Sequence, residues 1–283
     1  MVDLLYDVRA HLGEGPVWDT RTQTLYWLDI LSRCIFANDD LLVQVDETVG
    51  CLAPHRDGGL IFTKKASFWT LDPATARTSL LHPVADEPVG NRFNDGKCDP
   101  RGRFLAGSLD LNETDPTGSL YSLSGGVITK LLDGVTISNG LTWSPNYKTL
   151  YYIDTPTREI RAYDYDLENG AIANPRVAVH VPESLGWPDG MTSDQRGHLW
   201  VGMWGGAQLT RWDPHSGQLL EQIPVPAKNV SSCIFGGPDL DQLYITTARK
   251  GLDKAILADY PLTGGVFRLQ TQVEGMPVFS FAG

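Results

Sequence analysis

One phrase recurs along the whole chain, and its recurrence restricts the chain to folds built from repeated units. Its clearest copy is SNGLTWSPNYKTLYYIDT, residues 138 to 155. Leu141 to Ser144 suits a short strand, Pro145 and Asn146 begin a turn, and Thr149 to Asp154 forms a second β-rich run. That second run sets Leu150 and Tyr152 on one face and Tyr151 and Ile153 on the other, so both faces are apolar and the hairpin needs cover on both sides. Related phrases begin at Glu14 (EGPVWDTRTQTLYWLDI), Asp95 (DGKCDPRGRFLAGSLD), Asp189 (DGMTSDQRGHLWVGMWGG) and Ser232 (SCIFGGPDLDQLYITTA), with a weaker copy at Cys51. Their second residues, Gly15, Leu52, Gly96, Gly140, Gly190 and Cys233, step by 37, 44, 44, 50 and 43 residues. Steps of roughly 40 to 50 residues are those of a four-stranded propeller blade.

The intervals between the phrases hold the remaining strands. Third-strand candidates start at Arg33, Ser67, Gly118, Arg158, Ala207 and Gly264, and fourth-strand candidates at Leu41, Thr78, Val127, Arg176 and Gln218. By the same register VDLLYDVR, ahead of the first phrase, supplies the fourth strand of the last blade and closes the ring, which removes the exposed sheet edges of an open stack. The tail VFSFAG is a second candidate for that place. No segment of ten or more residues keeps a helical period, so little helix is expected, and the 29 Gly and 18 Pro supply turns throughout. The expectation is an all-β, six-bladed propeller of four-stranded antiparallel blades, formed as a single domain over residues 1 to 283.

The net charge of −11 argues against nucleic acid or an anionic membrane as a partner. The opening MVDLLYDVRAHLGEG has no basic segment followed by an apolar one, and no window approaches the roughly 18 apolar residues of a membrane span. A cytoplasmic protein is expected. Cys34, Cys51, Cys98 and Cys233 form no CxxC pair and read as buried free thiols. No G-x-S-x-G elbow, H-E-x-x-H helix or Walker-type loop is present, which leaves serine hydrolase, zincin and nucleotidase chemistry without support.

In a propeller the first strand of every blade runs along the central channel. The residues just before the six second positions, Glu14, Cys51, Asp95, Asn139, Asp189 and Ser232, are therefore expected to converge on the channel at one end. Three carboxylates and a carboxamide would then crowd one desolvated space, where the like charges of the carboxylates repel and raise one another's pKa values, and a divalent cation resolves that conflict. The donors are oxygens, with no His or Cys set at zinc-site spacing, which favours Ca²⁺, Mg²⁺ or Mn²⁺ over structural zinc. In an open site such ligands exclude little among Ca²⁺, Mn²⁺, Mg²⁺, Zn²⁺ and Fe²⁺. Asp-Gly and Asn-Gly are also ordinary turn formers, and it is their shared register that singles them out.

The motifs LGEGPVW, RFNDGKCDPRGRF, ISNGLTWS, PDGMTSDQRGHLWVG, GGPDLDQLYITTAR and VFSFAG, spaced from about residue 12 to the C-terminus, resemble the gluconolactonase and regucalcin family, also called the senescence marker protein family. The resemblance implies a six-bladed propeller that hydrolyses a sugar lactone to the aldonic acid with a divalent metal ion in its channel. Position by position, it implies metal binding by Glu14, Asn139 and Asp189 and substrate contact by Arg92, Asn94 and Glu113. Polarisation of the lactone carbonyl by the cation stabilises the developing oxyanion, and Asp189 activates or orients the attacking water. Asp95 is the reserve base or an orienting neighbour behind the ligands. A non-enzymatic calcium-binding or protein-interaction propeller, and an organophosphate or aryl ester hydrolase on the same scaffold, are the alternatives.

Overall fold

Because both faces of the strand Thr149–Asp154 are apolar, its blade is packed between two neighbours. Leu150 and Tyr152 join Leu105, Leu120 and Val135 of the preceding blade, while Tyr151 and Ile153 join Leu199, Val201 and Met203 of the following one. In the computed structural model, which describes residues 1–283, this arrangement repeats around six antiparallel four-stranded sheets, with one hydrophobic cluster in each of the six junctions. Full burial of each large apolar side chain contributes about 1.5–3 kcal/mol. The core is thus a set of walls between blades.

The first strands of the blades are Gly13–Asp19, Val49–Pro54, Asn91–Cys98, Ser138–Trp143, Trp187–Ser193 and Asn229–Gly236. They touch one another around the axis and are buried almost throughout, whereas outermost strands such as Gln218–Pro224 are largely exposed. The anticipated third and fourth strands all form, and the only α-helix is the short Lys254–Asp259. No helix is long and apolar enough to cross a membrane. All four cysteines are free and buried.

Val2–Tyr6 closes the ring by pairing antiparallel with Val266–Gln270, Val2 opposite Leu269 and Leu4 opposite Phe267. The tail does not compete for that place. It crosses beneath the ring instead. Met276 N–H donates to the Ser193 carbonyl (3.0 Å) in the fifth blade, Phe281 N–H to Pro54 (2.8 Å) in the second, and Ala282 N–H to Gly102 (2.9 Å) in the third. Phe281 is buried in the junction between the second and third blades and meets His55 edge-on.

Each first strand carries a register shift where it pairs with the second, at Glu14/Val17, Val49/Leu52, Phe93/Gly96, Asn139/Leu141, Pro188/Met191 and Val230/Ser232. These are β-bulges, which bend a strand and re-aim its side chains. The recurring Asn139-Gly140 and Asp189-Gly190 therefore lie inside strands. The strand read from sequence as starting at Leu141 starts at Ser138, because the bulge lets the ladder continue past the glycine. The glycines are required by close packing: a Cβ at Gly140 would lie 2.7 Å from the Asp189 carbonyl oxygen, and one at Gly190 would lie 2.1 Å from Ser232 Oγ.

CDPRGRF and SDQRGHLW make the same turn in the third and fifth blades. Asp99 Oδ1 accepts from Arg101 and Arg103 N–H, and Asp194 Oδ1 from Arg196 and His198 N–H. The other oxygen of each reaches across strands, Asp99 to Tyr165 of the next blade and Asp194 to Trp200 and Arg211 within its own.

Phe281→Ala removes the side chain that anchors the tail and is expected to cost about 3–5 kcal/mol of unfolding free energy. Urea unfolding followed by tryptophan fluorescence measures it; a loss below about 1 kcal/mol would show that the tail lies on the ring without holding it.

Candidate active site

First strands enter the channel at one end of the ring and second strands return to that end. A cavity of about 390 Å³ opens there, lined at its base by Glu14, Asn139 and Asp189 from the first, fourth and fifth blades. Arg92 and Asn94 face it from the third blade, and Glu113 and Lys250 from loops that follow second strands. The facing wall is apolar, with Trp187, Trp204 and Pro156.

The expectation that all six residues ahead of the repeat positions gather at one end requires correction. Glu14, Asn139 and Asp189 do. Asp95 and Ser232 line a separate, smaller space of about 40 Å³ at the tail end, which Met276 to Phe279 also line, and Cys51 lines neither. The cause is the third-blade bulge. Asn94 and Asp95 together oppose the single residue Gly107, and Asn94 is the one that faces the cavity while Asp95 faces the other way.

A chain of hydrogen bonds fixes the polar groups. Arg92 Nη1 donates to the Phe93 carbonyl (3.0 Å) and to Asn94 Oδ1 (2.8 Å), and Asn94 Nδ2 donates to Asn139 Oδ1 (2.9 Å) and the Ser138 carbonyl (2.8 Å). Asn139 Nδ2 donates to Thr155 Oγ1 (2.8 Å), whose own proton goes to the Pro188 carbonyl (2.8 Å). The Asn139 amide is thereby oriented from both ends, and its oxygen keeps a second lone pair beyond the one that Asn94 uses. Glu14 accepts only the N–H of Gly15 (2.9 Å), and no donor of the protein reaches the Asp189 carboxylate.

Such carboxylates are costly as anions. Burial, and then the charge of Asp95, push Glu14 from its ordinary 4.5 up to about 8. Burial, then Glu14 and Asp95, raise Asp189 well above the usual carboxylate range, opposed by Lys250. Asp95 is raised by burial against the pull of Lys97, whose ammonium donates to the Met191 carbonyl (2.8 Å). No three His, Cys, Asp or Glu side chains lie close enough together to enclose an ion by themselves. The oxygen set Glu14, Asp189 and Asn139, with unfilled lone pairs and two like charges in one place, nevertheless suits a hard divalent cation that keeps further positions open.

Lys250, Thr155 and Trp187 escaped the reading of the sequence. A positional rule would have found the first two, since residues just after each second strand return to the mouth: Glu113 follows Phe104–Asp110, Thr155 follows Thr149–Asp154, and Lys250 follows Gln242–Ala248.

Residues 12–249 match the model of the SMP-30/gluconolactonase/LRE-like region. Over 98% of its length the chain is 39% identical to YvrE of Bacillus subtilis (strain 168), provisionally named a sugar lactone lactonase, covering 97% of that protein. It is 38% identical to regucalcin of Bos taurus, with 97% of this chain and 96% of the relative covered. Among solved structures, a calcium-binding regucalcin of Agrobacterium tumefaciens superposes with a TM-score of 0.95 at 26% identity, over 100% of this chain and 98% of that one. A gluconolactonase of Xanthomonas campestris gives 0.77 at 25% identity, over 95% and 89%.

The raised carboxylates set a pH dependence. Without metal the folded protein retains protons that the unfolded chain releases above about 4.5, so folding stability falls as pH rises from there towards 8. Thermal unfolding midpoints in chelator should decline across that window, and excess divalent cation should flatten the decline. A metal-free midpoint that rises through it would contradict the charge crowding.

Proposed function

We propose, from the premise that this chain belongs to the SMP-30/gluconolactonase/LRE-like family, that it hydrolyses sugar lactones to aldonic acids at the open end of its channel. The observation that carries the reading is the convergence of Glu14, Asn139 and Asp189, from three different blades, on one cavity that also presents Arg92, Asn94 and Glu113. The relatives named lactonase or gluconolactonase support the same reaction class.

Glu14, Asn139 and Asp189 would hold the divalent cation, which when bound polarises the lactone carbonyl and lowers the pKa of water beside it. Asp189 is the base. With no hydrogen bond to satisfy it, its carboxylate is free to take a proton from the attacking water. The water oxygen adds to the carbonyl carbon, the ring C–O bond breaks, and the ring oxygen leaves as a hydroxyl carrying the proton that Asp189 took from the water, which regenerates the base. The resulting carboxylic acid then releases one proton to solvent. Arg92, tied at Nη1, keeps its remaining N–H groups for substrate oxygens, Asn94 holds both Arg92 and Asn139 in place, and Glu113 accepts from hydroxyls. Asp95, facing away from the cavity, acts on the reaction only through its charge on Glu14 and Asp189.

Proton release from a sugar lactone, read with an indicator dye against the spontaneous rate, tests this. Turnover should vanish with chelator and return with divalent cation. Asp189→Ala should lower kcat by about 10²–10⁴-fold, and Glu14→Gln should weaken apparent cation affinity at least about tenfold. Wild-type behaviour in both variants would sink the assignment.

A further inference from the structure

The loops that carry Glu113 and Lys250 belong to the third and sixth blades, which lie opposite one another in a six-bladed ring. Their side chains nevertheless meet: Lys250 Nζ is bonded to Glu113 Oε1, so an ion pair spans the mouth from one side of the ring to the other. Arg92 Nη2 lies 4.0 Å from the same oxygen. Each end is anchored by its backbone, Glu113 N–H to the Asp110 carbonyl (2.8 Å) and Lys250 N–H to the His11 carbonyl (2.9 Å). Both side chains are 32% exposed, so the pair is partly withdrawn from water.

A molecule bound at the base of the cavity must pass this bar or sit within it. Separating the pair leaves a partly buried ammonium that needs an acceptor and a carboxylate whose remaining charged neighbour, Arg92 at 4.0 Å, is beyond hydrogen-bond reach, so that it too has room for a donor. Two hydroxyls on adjacent carbons meet both needs: one O–H donates to Glu113 and the neighbouring oxygen accepts from Lys250. A lactone with an unsubstituted ring has no donor for Glu113, and its only acceptors are the carbonyl and ring oxygens engaged at the reacting end. Trp187, Trp204 and Pro156, which also line the cavity, carry no charge and no strong acceptor, so they cannot replace Glu113 as a partner for Lys250.

We propose that Lys250 is a specificity-determining residue that, with Glu113, bars the mouth of the cavity until a vicinal diol of the incoming lactone replaces the ion pair. This inference rests on the lactonase reading and assigns to Lys250 the discrimination between hydroxylated and plain lactones.

The test compares D-glucono-δ-lactone with δ-valerolactone on wild-type, Lys250→Met and Lys250→Arg protein, each loaded with the cation that best supports turnover. In Lys250→Met the ratio of kcat/KM for the hydroxylated over the plain lactone should fall about tenfold or more, through KM rather than kcat, because a site built for hydroxyls discriminates by its unpaired groups. Lys250→Arg should recover most of the ratio. An unchanged ratio in Lys250→Met, or a loss confined to kcat, overturns the proposal. If wild-type protein opens neither lactone, the lactonase reading fails, and calorimetry with 1,5-anhydro-D-glucitol, a ring polyol with no carbonyl, still judges the bar. Binding to Lys250→Met weakened about fivefold or more supports it; equal binding, or none to wild type, overturns it.

Discussion

The close approach of six first strands around one axis governs the rest of this molecule. At Gly140 and Gly190 neighbouring blades come nearer than any Cβ allows. The bulge at each of these places lets a strand bend into that contact without giving up its ladder. It also sets two consecutive residues against one, and so delivers an isolated polar side chain to the channel from a strand otherwise committed to packing. A single backbone device thus closes the ring and furnishes its centre.

Polar groups delivered in this way are a burden on the fold. Glu14, Asp95 and Asp189 are buried, and the charge of Asp95 is felt at both of the others; Glu14 and Asp95 each accept one backbone N–H, and Asp189 accepts none. Six hydrophobic junctions, one on each side of every blade, supply stability in which such a defect can persist. Compensation differs between the two ends. Towards the tail the ammonium of Lys97 is built into the chain beside Asp95. At the mouth Arg92 is occupied in part by Phe93 and Asn94, and the residual negative charge of Glu14 and Asp189 is what a divalent cation would neutralise.

Blade number, strand order and ring closure were legible because they depend on hydrophobic alternation and spacing, both one-dimensional properties. Thr149–Asp154, with apolar residues on both faces, already implies a sheet walled in by neighbours. The depth of a side chain along the channel was less legible, since it turns on the bulge, and a one-residue offset changes which end a group faces. Asn94 and Asp95 make the point: both precede Gly96, yet they line different spaces. Lys250 was invisible for another reason. Its partner Glu113 is 137 residues earlier in the chain, and only the circular arrangement of blades brings the two together.

The tail gives the channel its direction. Six similar blades would leave a passage open at both ends, but at one of them the segment Met276 to Phe279 lines a space of about 40 Å³, room for little more than water. On the lactonase reading a substrate would therefore enter from the side where first strands begin. On that approach it would meet the more exposed Lys250–Glu113 pair before the buried carboxylates, so selection by hydroxyl pattern would precede the reaction in space as well as in time. The repeat supplies a scaffold with no preferred end, and the preference arises from two segments outside the regular strands: a C-terminal strap beneath the ring and a pair of loops above it.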